Sequence, residues 1–96
     1  MTQRTAAALE KLEELLPAIQ SLPESPERAR LIEEADHLRR AVAAFHMEAI
    51  RFRMYSVDRL IAQLGDDARA RTALEELRVE LEAVGFHTRS HKAPGA

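Results

Sequence analysis

The chain has 96 residues, with 14 basic and 16 acidic side chains and a formal net charge of −2. This length allows one small domain, and the near-neutral charge disfavours a general polyanion-binding protein. The sequence contains no cysteine, which excludes disulfides and thiolate chemistry. No apolar run reaches the roughly 18 residues of a transmembrane helix, and the N-terminus has no signal-peptide pattern. We therefore expect a soluble cytoplasmic protein.

The composition predicts an all-α fold. Alanine and leucine dominate the apolar residues, and aromatic side chains make up only 4% of the chain. Such a composition favours helices, because strands are rich in β-branched and aromatic residues. We predict an antiparallel helical bundle as a single domain over residues 1–86, with a long central helix flanked by two shorter ones. Residues 87–96 are predicted to form a flexible C-terminal tail.

Helix 1 is predicted over about residues 3–22. Its apolar side chains recur at alternating spacings of three and four residues, at Leu9, Leu12, Leu16 and Ile19. Pro17 lies inside this pattern and cannot donate a backbone hydrogen bond, so the helix is expected to kink or restart there. A proline-containing loop follows, in which Ser25 can cap the next helix and Pro26 can occupy its first position.

Helix 2 is predicted to be long. No glycine or proline occurs between Pro26 and Leu64, and a single helix of about 39 residues would extend about 58 Å. Gly65 is expected to end it in the left-handed conformation, with Asp66 or Asp67 capping helix 3 over about residues 67–84. Gly85 is expected to end helix 3.

Helix 2 carries two apolar stripes on nearly opposite faces, roughly 150° apart. The first stripe runs from Leu31 to Phe52 and the second from Ala43 to Leu64, so the two overlap in the middle. Short flanking helices would cover only the ends, which predicts that the two-sided middle associates with a second chain. The predicted interface consists of Val42, Phe45, Met47, Ala49, Ile50, Phe52 and Met54.

An alternative keeps the chain compact. A break near Ser56, which could cap a separate helix starting at Val57, would divide helix 2 and give a four-helix monomer.

Arg39, His46 and Arg53 are seven residues apart and would form a row along one flank of a continuous helix 2. Such a row could bind an anion or nucleic acid, and it motivates an alternative function as a small dimeric nucleic-acid-binding regulator. Arginines beside an apolar seam more often cover it with their aliphatic stems or pair across a dimer. We therefore expect no nucleic-acid partner.

Glu34 and His37 have the spacing of a metal-binding Glu-x-x-His motif, the basis of a second alternative as a metal-binding bundle. The motif occurs once, and a solvated helix flank is the favoured explanation, so no metal or other cofactor is expected. A further polar set, formed by Glu48, Arg51, Tyr55 and Asp58, is interpreted as an interface network.

The sequence contains no nucleophile–base arrangement and no glycine-rich phosphate loop, so we predict no enzymatic activity. The favoured interpretation is a homo-oligomeric helical interaction module that acts as an adaptor, scaffold or regulatory subunit. Its expected partner is a second copy of itself, with another helical protein as a further possibility, and no membrane.

Overall fold

The computed structural model describes residues 3–87, which contain four α-helices and no strand. The prediction of an all-α fold is therefore confirmed for this part of the chain. A short 3-10 turn at Gln3–Thr5 precedes α1 (Ala6–Gln20), and α2 (Pro26–Ala44), α3 (Met47–Gln63) and α4 (Ala68–Ala83) follow. The predicted tail lies outside the described residues, except for His87.

Local sequence explains where the helices begin and end. The Ser25 hydroxyl accepts a hydrogen bond from the Arg28 N–H at 3.0 Å, and Pro26 occupies the first position of α2. Asp67 caps α4 by accepting from the Ala70 N–H at 3.0 Å. Gly65 ends α3 and Gly85 ends α4, both with positive φ, as the carboxyl ends of helices favour.

Pro17 does not divide α1. The helix is continuous from Ala6 to Gln20 with Pro17 inside it, so the predicted restart does not occur. The Pro17 carbonyl accepts a hydrogen bond from the Ser21 N–H at 3.0 Å, at the point where α1 ends.

The predicted continuous helix 2 is wrong. The chain turns at Phe45 and His46, which separate α2 from α3, and α3 runs without a break through Ser56. The number of helices agrees with the compact alternative, but the break lies about ten residues before the position predicted for it. At this turn the Phe45 N–H donates to the Val42 carbonyl at 2.9 Å and the His46 N–H to the Ala41 carbonyl at 3.0 Å.

This pair of hydrogen bonds is the Schellman motif that commonly ends a helix, and it requires a left-handed residue after the last helical turn. Phe45 occupies that position with φ 50°. A side chain in this region costs about 1–2 kcal/mol, which explains why neither residue type nor spacing predicted a helix end here. The His46 ring then caps α3, because its Nδ1 atom accepts from the Ala49 N–H at 3.4 Å.

The gain in burial outweighs the strain at Phe45. Because the chain turns there, α3 folds back onto α2 and its five inward side chains become buried: Ile50, Met54, Val57, Leu60 and Ile61. Full burial of one such side chain contributes about 1.5–3 kcal/mol. A straight helix would leave this face in water unless a second chain covered it.

The four helices share a single core. α1 packs against α2 and α4, α2 packs extensively against α3, and α3 contacts α4 less. Aliphatic side chains from all four helices form this core, together with Phe86, which follows α4. The molecule measures 36 × 35 × 19 Å, and its shortest dimension corresponds to two layers of helices. Within residues 3–87, no helix combines the length and apolarity needed to cross a membrane.

Candidate interaction surface

The residues of the predicted interface fall into three groups. Val42, Ile50 and Met54 are buried in the core of their own chain, so the prediction that these residues need a second chain to cover them is wrong. Phe45, Met47 and Ala49 are half-buried and pack against the same core. Phe52 is 59% exposed and remains accessible to a partner.

The predicted row of Arg39, His46 and Arg53 does not exist as a row, because the turn at Phe45 and His46 places its members on different elements. Arg39 donates to Asp36 at 2.8 Å, and this hydrogen bond lowers the pKa of the Asp36 carboxyl. His46 is the cap of α3. The continuous anion-binding surface that motivated the nucleic-acid alternative is therefore not assembled.

Arg53 instead joins α3 to α2 through Glu34. One terminal nitrogen of Arg53 donates to both carboxylate oxygens of Glu34, at 3.0 and 3.1 Å. This pairing occupies the carboxylate of the predicted Glu34–His37 metal motif. Among residues 3–87, no three potential metal-ligating side chains lie close enough together to hold an ion.

We expect the Glu34–Arg53 pair to couple the two helices. Its side chains are only 20% and 29% exposed, so water screens their attraction less than it screens a fully exposed pair. A double-mutant cycle with Glu34→Gln and Arg53→Met should give a coupling energy of about 1 kcal/mol from urea denaturation. The same cycle on the more exposed Asp36–Arg40 pair serves as the control and should give about 0.3 kcal/mol. Equal coupling energies would contradict a specific role for Arg53 in holding α3 on α2.

The most distinctive open surface lies along α3. Its members are Glu48, Phe52, Tyr55 and Arg59, which we call the α3 stripe. All four side chains are exposed, and Phe52 and Tyr55 are 59% and 60% exposed. Their spacings of four, three and four residues place them within about 60° of one another around the helix axis. The stripe is therefore one continuous face, with two aromatic rings at its centre.

One arginine lies against each of these two rings. The Arg53 guanidinium lies 5.0 Å from the centre of the Phe52 ring, and that of Arg59 lies 5.8 Å from the centre of the Tyr55 ring. At these distances a cation is attracted to the aromatic face, which restricts the position of each ring. Beside the stripe, a shallow groove of about 310 Å³ runs between α2 and α3, lined by Arg30, Phe52, Tyr55, Ser56, Arg59, Leu60 and Gln63.

Sequence reasoning included Phe52 in the interface but assigned Glu48 and Tyr55 to a different polar set and placed Arg59 in neither group. The spacing of the four residues was visible in the sequence. Their common exposure was not, because it depends on which face of α3 turns towards α2.

The predicted polar set is divided between two contacts. Arg51 donates to Glu48 at 3.2 Å, while Asp58 pairs with Arg71 of α4. That hydrogen bond raises the pKa of Arg71 and links α3 to α4.

Surface depressions also lie between other pairs of helices. A cleft of about 150 Å³ between α3 and α4 is smaller than typical ligand pockets. A groove of about 620 Å³ between α1 and α4 is lined by Glu13, Glu14, Pro17, Ala68, Arg69, Thr72, Ala73 and Glu76. Its charged side chains are three glutamates and one arginine, and Thr72 supplies a hydroxyl.

Over residues 3–87, fold and surface together define a small all-α bundle of four helices, with an exposed aromatic and charged face on α3. No model of a protein family matches the sequence, and neither a curated protein nor a solved structure shows significant similarity to it.

Proposed function

We propose that this chain is a non-catalytic helical interaction module that associates with itself, in the role of an adaptor, scaffold or regulatory subunit. The observation that carries the proposal is the pair of adjacent exposed rings on α3, Phe52 and Tyr55. The exposure of both rings on one helix face leaves apolar surface that a partner can remove from water.

The residue types of this face support a protein partner. Aromatic residues and arginine are enriched at protein–protein interfaces and supply most of the residues that dominate binding energy. An arginine of the same helix lies against each ring, which favours the observed ring positions and reduces the side-chain entropy lost when a partner covers them. Among the described residues, Val79 is the other large apolar side chain that is similarly exposed, and it has no aromatic neighbour in the depression that it lines with residues of α1 and α4.

Self-association is expected to be weak and dependent on concentration. One helix face is smaller than the roughly 800 Å² per partner of a standard interface. Sedimentation velocity of the whole chain from about 1 µM to about 1 mM should therefore show a rise from monomer to dimer. A monomer at every concentration would overturn the proposed function.

Phe52→Glu should abolish this rise, because it places a charge in the apolar centre of the contact. Val79→Glu is the matched control, since Val79 is 61% exposed but lies on α4, and it should self-associate as the wild type does. Circular dichroism should show the same helicity for both variants.

A further inference from the structure

We infer that two copies of this chain pair through the α3 stripe, with their α3 helices antiparallel about a twofold axis that passes between Arg53 and Met54. This inference rests on the proposed self-association and assigns its surface and register. It follows from the order of residues along the stripe, which is acidic, aromatic, aromatic and basic.

The stripe is self-complementary when its copy runs in the opposite direction. Phe52 and Tyr55 are equally distant from the midpoint of the stripe, about 2 Å along the helix axis. Glu48 and Arg59 are also equally distant from it, at about 8 Å. An antiparallel copy therefore places Phe52 opposite Tyr55 of the second chain and Glu48 opposite Arg59 of the second chain. The twofold axis repeats both contacts, as a symmetric dimer requires.

The charges at the two ends favour this register. Arg59 has no carboxylate partner within residues 3–87, and its guanidinium lies over the Tyr55 ring. The Glu48 side chain is 85% exposed, and its one ion-pair partner among the described residues is Arg51, at 3.2 Å. Each end of the stripe can therefore form an ion pair with a second chain without breaking a buried interaction. A parallel copy would instead bring like charges together at both ends.

The centre of the contact contains four rings, two from each chain. Helices that pack side by side are about 8–10 Å apart, which allows rings of facing helices to reach each other. Aromatic pairs at centroid distances of 4.5–7 Å favour offset or edge-to-face contact. The groove beside Phe52 and Tyr55 provides space into which a ring of the second chain can fit.

A single-stranded nucleic acid is the competing occupant, because rings and arginines also bind stacked bases and phosphates. The stripe is less suited to it, since Glu48 lies at one end and would repel phosphate. The second copy is therefore the favoured occupant, and nucleic-acid binding is one outcome of the test.

The test reverses the two charges separately and then combines the variants. In a homodimer, position 48 of each chain faces position 59 of the other. Glu48→Arg therefore places two arginines opposite each other at both ends of the homodimer, and Arg59→Glu places two glutamates there. In sedimentation velocity, each variant alone should have a dimer dissociation constant at least about tenfold higher than that of the wild type. An equimolar mixture should recover the wild-type affinity, because each charge then faces its opposite in the heterodimer.

Two controls account for effects of charge reversal itself. Glu27→Arg removes an exposed acidic residue from the first turn of α2, as Glu48→Arg does from α3. Arg69→Glu reverses an exposed arginine on α4. Both controls should self-associate like the wild type. Circular dichroism should verify that all variants keep the wild-type helicity, and if Glu48→Arg loses it, Glu48→Gln with a smaller expected weakening replaces it.

The outcomes separate this inference from the proposed function. If the wild type dimerises and both charge-reversed variants dimerise equally well, the antiparallel register is wrong but self-association stands. The same holds if the two variants are weakened and their mixture does not recover the wild-type affinity. A wild-type monomer overturns both. Titration of a labelled single-stranded oligonucleotide completes the test. The stripe would be assigned to nucleic acid instead if the wild type bound the oligonucleotide in a salt-sensitive way, Phe52→Ala abolished this binding, and the protein without oligonucleotide formed no dimer.

Discussion

Ile50→Glu is expected to unfold the protein. Ile50 has no exposed surface and lies on the face of α3 that packs into the core. A glutamate at this position loses the burial of an aliphatic side chain and places a carboxylate in apolar surroundings, at a cost of several kcal/mol. A domain of this size has a total stability of about 5–10 kcal/mol. Circular dichroism at room temperature should therefore show a large loss of helicity.

Phe52→Glu is the matched comparison, two residues along the same helix. Because Phe52 is 59% exposed, the new carboxylate stays in water, and we expect wild-type helicity with a change in stability below about 1 kcal/mol. A single continuous helix completed by a dimer would make the two substitutions equally damaging. Equal effects of Ile50→Glu and Phe52→Glu on folding would therefore contradict the fold-back of α3 onto α2.

Phe86→Ala is expected to have the second-largest effect. Phe86 is among the largest fully buried side chains and is only 1% exposed, although it lies beyond the last helix. Its N–H donates to the Leu81 carbonyl at 3.0 Å, which directs the ring back towards the core. Removal of a buried phenylalanine side chain costs about 3–5 kcal/mol, because it loses burial and leaves a cavity.

Urea denaturation should measure this loss, and thermal unfolding should show a midpoint lower by roughly 12–30 °C. Phe86→Leu is the control, since it keeps most of the apolar volume and should cost less than about half as much. A cost below 1 kcal/mol for Phe86→Ala would mean that the turn after α4 does not close the core.

Helix content and most helix ends were predictable because they depend on neighbouring residues. Ser25 and Pro26 start α2, and Gly65 and Gly85 end α3 and α4, through hydrogen bonds and backbone angles that are set within a few residues. The apolar periodicity of helix 2 also identified the side chains that become core, including Leu31, Leu38 and Val42. It did not show which chain, or which part of the same chain, would cover them.

The candidate surface was predictable only in part. Phe52 was placed at an interface because it belongs to an apolar stripe, and it is exposed in the structure. Ile50 and Met54 were placed beside it for the same reason, yet they face the core. The difference arises from the rotation of α3 about its own axis, which is fixed by its packing on α2 and not by the spacing of its residues.

The sequence by itself determined the fold class, the starts of α2 and α4 and the glycine turns, because capping and helix propensity are local interactions. The tertiary structure alone decided the turn at Phe45 and His46, where the local preference favours a continued helix and φ is 50° at a phenylalanine. The strain of about 1–2 kcal/mol at one residue is outweighed by the burial of a whole face of α3 against α2. That balance depends on residues far apart in the chain. For the same reason, only the structure could show that Glu48, Phe52, Tyr55 and Arg59 form one exposed face.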